Sequence, residues 1–174
     1  MKIIGAYAVC LAFMAFSLVT EWTIDAAKAR ITFKTNGTFG EIKGSFSGLK
    51  ATIKFDEDSP SSASIIAYID PKTIETGISL RNKHLGEKEE FLNVSQYPLA
   101  SFTSKQIQKT TTGYRAIGDM TIKGITRLIE IPFTFSKEGS GGVFKGQFTL
   151  NALDYKVGKD SRPVTLSFEI AVNK

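Results

Sequence analysis

The chain has 174 residues with 22 basic and 17 acidic side chains, 13 phenylalanines, one histidine and one cysteine, for a net charge of +5. That length accommodates one domain with a core of its own. The basic excess is mild and spread over single lysines such as Lys34, Lys54 and Lys145, which excludes the basic stripe interleaved with stacking aromatics that nucleic-acid binding requires and leaves a slight attraction to anionic lipid head groups.

The first 20 residues carry Lys2 and then no charge before Glu21. A basic start followed by an apolar run is the layout of a secretory signal peptide. Ile3 to Thr20 also approaches the roughly 18 to 20 residues that span a bilayer, so a retained N-terminal anchor is the alternative. Cleavage is weakly marked, either at Ala15-Phe16-Ser17 or after Thr20, and Tyr7-Ala8-Val9 before Cys10 is a poor lipoprotein box. Lys2 keeps the N-terminal side in the cytoplasm, so residues 21–174 are expected to form a periplasmic or secreted domain. That domain contains no cysteine, which removes disulfides, thiolate nucleophiles and Cys-based metal sites together.

Beyond the leader, apolar residues alternate with polar ones at Ile31/Phe33 and at Ile53/Phe55, as in strands with one buried face. SIIAYI, Ser64 to Ile69, is apolar on both faces and is expected to pass beneath another element. In TGISLRNKHLGEKEEFLN, Ile78, Leu85 and Leu92 fall seven apart, which predicts one or two short helices laid on the sheet, capped by Thr76 or Ser79 and interrupted near Gly86. Alternation resumes at Tyr114/Ala116/Met120/Ile122, at Ile129/Ile131/Phe133/Phe135, at Phe144/Phe148/Leu150 and at Leu166/Phe168/Ile170/Val172. Turn signals such as Asn36-Gly37, Thr112-Gly113, Lys123-Gly124 and Glu138 to Gly142 divide the chain into about eight or nine strands. Antiparallel strands of that number form a sandwich or close into a barrel able to hold one small ligand.

Eleven phenylalanines follow the leader, most of them on apolar strand faces. Each buried ring contributes roughly 1.5 to 3 kcal/mol, so filling a core explains them as well as lining a cavity does. For chemistry the sequence offers little. His84 is the only histidine, so multi-histidine zinc sites are excluded, and no serine stands in a nucleophile-elbow pattern. Glu87, Glu89 and Glu90 beside Lys83 and Lys88 read as a solvated helix surface with local ion pairs. There is no phosphate-cradling glycine loop and no dinucleotide fingerprint.

Four stretches together carry a family resemblance: Trp22 to Phe33 (WTIDAAKARITF), Arg81 to Phe102 (RNKHLGEKEEFLNVSQYPLASF), Gly118 to Phe133 (GDMTIKGITRLIEIPF) and Phe148 to Gly158 (FTLNALDYKVG). On these the sequence resembles the YceI-like family of lipocalin-like, often periplasmic, polyisoprenoid-binding proteins. The resemblance implies an all-β fold, an extended eight-stranded antiparallel barrel with a short helical insertion, some members being homodimers. It implies no catalytic step and no cofactor, but a bound isoprenoid, quinone or fatty-acid-like amphiphile. Arg81, Asn82 and His84 match the family's Arg-Asp-x-His-Leu block, where they either meet the ligand's polar end or lock into structural hydrogen bonds. The chain departs from the pattern at Asn82 in place of Asp, at Lys28-Ala29 in place of His-Ser, at Ala152 where Arg often stands and at Lys156 where Gly does.

The expected function is therefore binding, transport or sequestration of a hydrophobic small molecule, with transient membrane contact. Its tail would lie against Phe33, Phe55, Phe102, Met120, Ile122, Phe133, Phe135, Phe148 and Phe168, and its polar end would meet Arg81, Asn82 and His84. The alternatives are an enzyme of lipid or quinone metabolism using Arg81 and His84, and an interaction module with a solid interior.

Overall fold

The structure is a computed structural model and describes residues 19–37 and 40–174. It contains strands β1 (Glu21–Ile24), β2 (Arg30–Gly37), β3 (Gly40–Phe46), β4 (Lys50–Lys54), β5 (Ser64–Ile69), β6 (Ala100–Thr110), β7 (Gly113–Ile122), β8 (Ile125–Glu138), β9 (Gly141–Asn151) and β10 (Pro163–Asn173), with one helix, α1 (Ser79–Glu87). Single 3-10 turns occur at Pro60–Ser62, Pro71–Thr73 and Ala152–Tyr155.

Eight strands close on themselves in the order β1-β4-β5-β6-β7-β8-β9-β10, and β10 returns to β1 through Thr23–Asn173 and Ile24–Val172. All neighbours are antiparallel, and closure leaves no open edge at this end. Past the turn at Asp25–Ala29, β2 takes over the same edge of β10 from Glu169 to Val164, and β3 pairs with β2 as a hairpin. The outer edge of β3 is tied to the chain after β5 by a two-way backbone pair between Ser45 and Glu75. The wall thus continues past the eight-stranded ring as a hairpin and a lashed loop, which lengthens the barrel.

The register assigns the interior. Trp22, Ile53, Phe55, Ile107, Tyr114, Phe133, Phe135, Phe144 and Val172 meet in one cluster at the end where β1 closes the ring. Phe55 is fully buried there, its ring 4.9 Å edge-on from Tyr114, 5.2 Å from Phe135 and 5.4 Å from Phe144. Trp22 stands 5.1 Å from Phe135 and donates its indole N–H to the Phe55 carbonyl at 2.9 Å. Tilted and edge-on contacts of this kind pack densely and each adds about 0.5 to 1.5 kcal/mol beyond burial. This end is sealed by side chains.

Toward the other end, where the β5–β6 connection with α1, the β7–β8 turn and the β9–β10 connection lie, the inward positions change character. Ile42, Phe46, Met120, Ile122, Ile129, Phe148, Leu150, Leu166 and Phe168 all point inward by register, yet each is only half-buried. Two rings lie flat against the wall: Phe33 over its cross-strand partner Gly44, and Phe168 over Gly146. A β-carbon at either glycine would sit 2.4 Å from the ring, so glycine is what lets the rings fold back. At the helix-bearing end the inward side chains are apolar and only partly buried.

Several expectations are corrected. There are ten strands because the hairpin strand β3, with Gly44 interrupting Ile42 and Phe46, and the four-residue β1 are strands in their own right. No helix covers the far end of SIIAYI, since Tyr68 on its outer face stays 43% exposed. Helix α1 ends at Glu87, one residue past the buried Gly86 where an interruption was expected, but its N-cap position is Ile78, with neither Thr76 nor Ser79 capping it.

Candidate functional site: an apolar trough beneath a lashed end

Strands β8 and β9 pair only from Phe133–Gly146 to Glu138–Gly141. Residues 125–132 of β8 stay on β7 and residues 147–151 of β9 stay on β10, so the wall divides at the helix-bearing end. Pro132, which has no N–H to offer, sits at the fork. The turn at Ala152–Tyr155 is drawn to this split, where Arg127 Nε donates to the Asp154 carbonyl at 3.4 Å. Lys123, in the β7–β8 turn, reaches out with Nζ to the carbonyls of Glu89 and Lys156. Gly158 N–H donates to the Glu90 carbonyl at 2.7 Å, and Lys159 pairs with Glu90 at 3.2 Å. Three connections are therefore lashed together at this end, largely through main-chain carbonyls.

The nine apolar residues picked from sequence all face the interior, but they divide by depth. Phe55, Phe102, Phe133 and Phe135 belong to the sealed cluster, and Phe33 is buried beside β3, 5.4 Å from Phe46. Met120, Ile122, Phe148 and Phe168 are half-buried in the open half. The interior also includes Ile42, Phe46, Ile129, Leu150 and Leu166, which had not been singled out as lining residues. The alternation of β8 carried a signal for Arg127 as well, because it shares parity with Ile125, Ile129 and Ile131.

The polar trio does not act as a unit. Asn82 Oδ1 accepts from the Thr76 hydroxyl at 2.6 Å and the Thr76 N–H at 2.9 Å, while its amide donates to Glu75 Oε1 at 2.9 Å. Gly77 N–H donates to the same Glu75 oxygen at 2.6 Å. The Asn82 amide, then the Gly77 N–H, hold the Glu75 carboxyl below its ordinary value. Asn82 thus fastens α1 to the segment that bridges to β3. His84 is exposed and Arg81 half-buried, and neither side chain has a hydrogen bond or ion pair among the described residues. Of the acidic trio only Glu87 lies on the helix, and Glu90 pairs with Lys159 and not with the neighbouring lysines.

One polar atom stands apart. Tyr155, at the end of the Ala152–Tyr155 turn, is 2% exposed, and its hydroxyl is the buried side-chain atom without a hydrogen-bond partner among the described residues. Burial pushes that phenol above its ordinary pKa, the Asp154 carboxylate adding to the effect and the Arg127 cation opposing it. Sequence reading missed it because a tyrosine in a turn shows neither periodicity nor charge. Among the described residues no group of three His, Cys, Asp or Glu could hold a metal. The two best-defined surface hollows, of about 330 and 180 Å3, lie on the outer wall, one over Thr32, Lys34, Lys43 and Thr165, the other at the β8–β9 fork. No described helix is long and apolar enough to cross a membrane, and residues 1–18 lie outside the described part.

Comparison with known proteins places this architecture. A UPF0312 protein of Yersinia enterocolitica is 28% identical over an alignment spanning 98% of this chain and 94% of that protein. BcnA of Burkholderia cenocepacia superposes with a TM-score of 0.79 at 23% identity, covering 86% of this chain and 99% of that one. A polyisoprenoid-binding domain of Saccharophagus degradans superposes with a TM-score of 0.65 at 14% identity, covering 89% and 98%. These likenesses establish a shared fold. The family profile of the YceI-like domain matches residues 22–173, from the strand that closes the barrel to the last residue of β10, and the chain belongs to the YceI-like family.

Proposed function

We propose that this protein binds and carries a long-chain amphiphile, with the tail in the open half of the barrel. The observation that supports it is the burial gradient: inward apolar side chains are packed shut around Phe55 yet stay partly accessible at Met120, Phe148 and Leu166. An apolar wall left partly unfilled gains roughly 25 cal/mol for each Å2 that a tail withdraws from water. The polyisoprenoid-binding fold neighbour supports the same class of ligand. In this reading the tail contacts Phe33, Met120, Ile122, Phe148 and Phe168, whereas Phe55, Phe102, Phe133 and Phe135 form the floor. No catalytic step is part of the proposal. Titration with a fluorescent polyene fatty acid is expected to show saturable binding, displaced by a C20 isoprenoid alcohol. Non-saturable uptake would contradict it.

Loading is proposed to occur at a membrane surface, through the helix-bearing end. Among the described residues the exposed large apolar side chains are Tyr68, Ile78, Leu80, Leu99, Leu128 and Leu153, and every one lies at that end. Apolar side chains exposed at one end of the barrel suit shallow contact with a bilayer. The proposed location is the periplasm or the exterior. The Thr20 carbonyl accepts from Phe55 N–H at 2.9 Å, so cleavage at Ser17 keeps a bond that cleavage after Thr20 would remove. Sequencing of the mature N-terminus is expected to begin upstream of Thr20.

A further inference from the structure

The barrel wall is not continuous between β8 and β9. Their pairing runs from Glu138–Gly141 to Phe133–Gly146 and stops where Pro132 can donate no further bond. Beyond it Thr126 to Ile131 keep β7 and Gln147 to Asn151 keep β10, so two strand edges face each other without pairing. Such edges are ordinarily covered or shortened, because each presents a row of main-chain donors and acceptors. Among the described residues one hydrogen bond crosses from this stretch of β8 to the turn after β9, from Arg127 Nε to the Asp154 carbonyl at 3.4 Å, which is long for an N–H donor. The end of the barrel is tied more firmly, by Lys123 to the Glu89 and Lys156 carbonyls, by Gly158 N–H to the Glu90 carbonyl and by the Lys159–Glu90 ion pair. Apolar side chains stand on both sides of the split: Leu128, 62% exposed, and Leu153, 40% exposed, meet solvent, while Ile129 and Phe148 are half-buried on the inward faces of the two strands. Seating the Ala152–Tyr155 turn also sacrifices a hydrogen bond, since the buried Tyr155 hydroxyl has no partner and regains water as one when the turn lifts.

We propose that the split between β8 and β9 is a lateral portal through which the amphiphile's tail passes between a bilayer and the barrel, with the Ala152–Tyr155 turn as its gate and Arg127 as its latch. This rests on the carrier reading above and names its route, which runs through the wall and not past the lashed connections. A chain-shaped ligand enters such a split lengthwise and meets apolar side chains on either side of it. A portal of this kind sets the rate of exchange and not the affinity, because it changes the barrier and neither end state.

The test follows uptake and release of a fluorescent polyene fatty acid between the full chain and liposomes, in a Cys10→Ser background that leaves no other thiol. Continuing the β8–β9 register past Gly146 sets Glu130 opposite Thr149, and both are exposed. Glu130→Cys with Thr149→Cys is strapped across the split by a flexible bis-maleimide, the single link being verified by mass. Thr134→Cys with Lys145→Cys, opposite each other where the strands already pair, receives the same strap as a control. The proposal expects the first strap to slow uptake and release together by about tenfold with the dissociation constant unchanged, and the control strap to change neither. Arg127→Met, which keeps an aliphatic stem and removes the donor, is expected to speed both at unchanged affinity. Exchange that ignores the strap across the split, equal slowing by the control strap, or an Arg127→Met variant that alters affinity in place of rate would each overturn the portal and leave the carrier reading standing. A parent that does not bind the acid at all would overturn the carrier reading, and the portal with it.

Discussion

Phe55 shows how one side chain can close one end of a barrel. It is fully buried, four aromatic rings stand within 6 Å of it and its main chain takes one hydrogen bond from Trp22 and gives one to Thr20. Phe55→Ala leaves a cavity that rigid neighbouring rings cannot fill, and urea denaturation is expected to show a loss of about 3 to 5 kcal/mol. Asn82 makes a different case. Because Glu75 is held below its ordinary carboxylate value, its contribution to stability is present above about pH 4.5 and is lost as pH falls through the lower folded-state value. Asn82→Asp places a second carboxylate against Glu75, so its melting point should fall short of the parent's most at pH 7 and least near pH 4. A pH-independent difference would show that Asn82 does not act through Glu75. Lys156 occupies left-handed backbone, at φ 53°, which accounts physically for the glycine that the family resemblance places there. Since a β-carbon in that region costs roughly 1 to 2 kcal/mol, Lys156→Gly is expected to stabilise the fold by up to about 1 kcal/mol in the same assay.

At the scale of elements, the lashed end depends on Lys123. It lies at φ 51° and Gly124 at φ 70°, the two positive angles of a tight hairpin turn, a place where asparagine is preferred over lysine. Lysine there serves the reach of its Nζ to the carbonyls of Glu89 and Lys156. Lys123→Asn should therefore keep the β7–β8 turn while speeding hydrogen exchange in residues 88–94 and 152–158. Unchanged exchange in both segments would mean that the ammonium is not what holds them. Strands with strict alternation, such as β8 and β10, were legible in the sequence because each buries one face. β6 was not, because a bulge between Ser104 and Gln106 shifts its parity and leaves its inward residues Phe102 and Ile107 five apart. The four residues of β1 are too few to show a period, and Gly44 erases the period of β3. The start of α1 was misjudged since Asn82, inside the helix, satisfies the Thr76 groups that had been expected to cap it.

For the molecule as a whole, phenylalanine content pointed equally to a core and to a cavity, and the structure contains an end whose rings are fully buried and one whose inward rings are only partly so. Sequence could place those rings on the inward face, since parity is local. It could not sort them by depth, since depth depends on where β1 meets β10 and where β8 leaves β9, both long-range pairings. The same limit hid Tyr155 and the apolar rim. If the rim is the loading face, Leu80→Asp with Leu99→Asp should reduce co-flotation with liposomes several-fold while ligand affinity in solution stays unchanged, because neither side chain faces the interior. Equal flotation of the variant and the parent would remove the membrane-loading proposal.

The central claim is that the open half of the barrel holds an amphiphile, and native mass spectrometry of the protein purified from its own envelope, paired with organic extraction, tests it most directly. The account predicts one extra mass per chain, released into the organic phase and identified there as a long-chain lipid. Protein that arrives empty, and that stays empty after incubation with isoprenoid and fatty-acyl lipids, would contradict it.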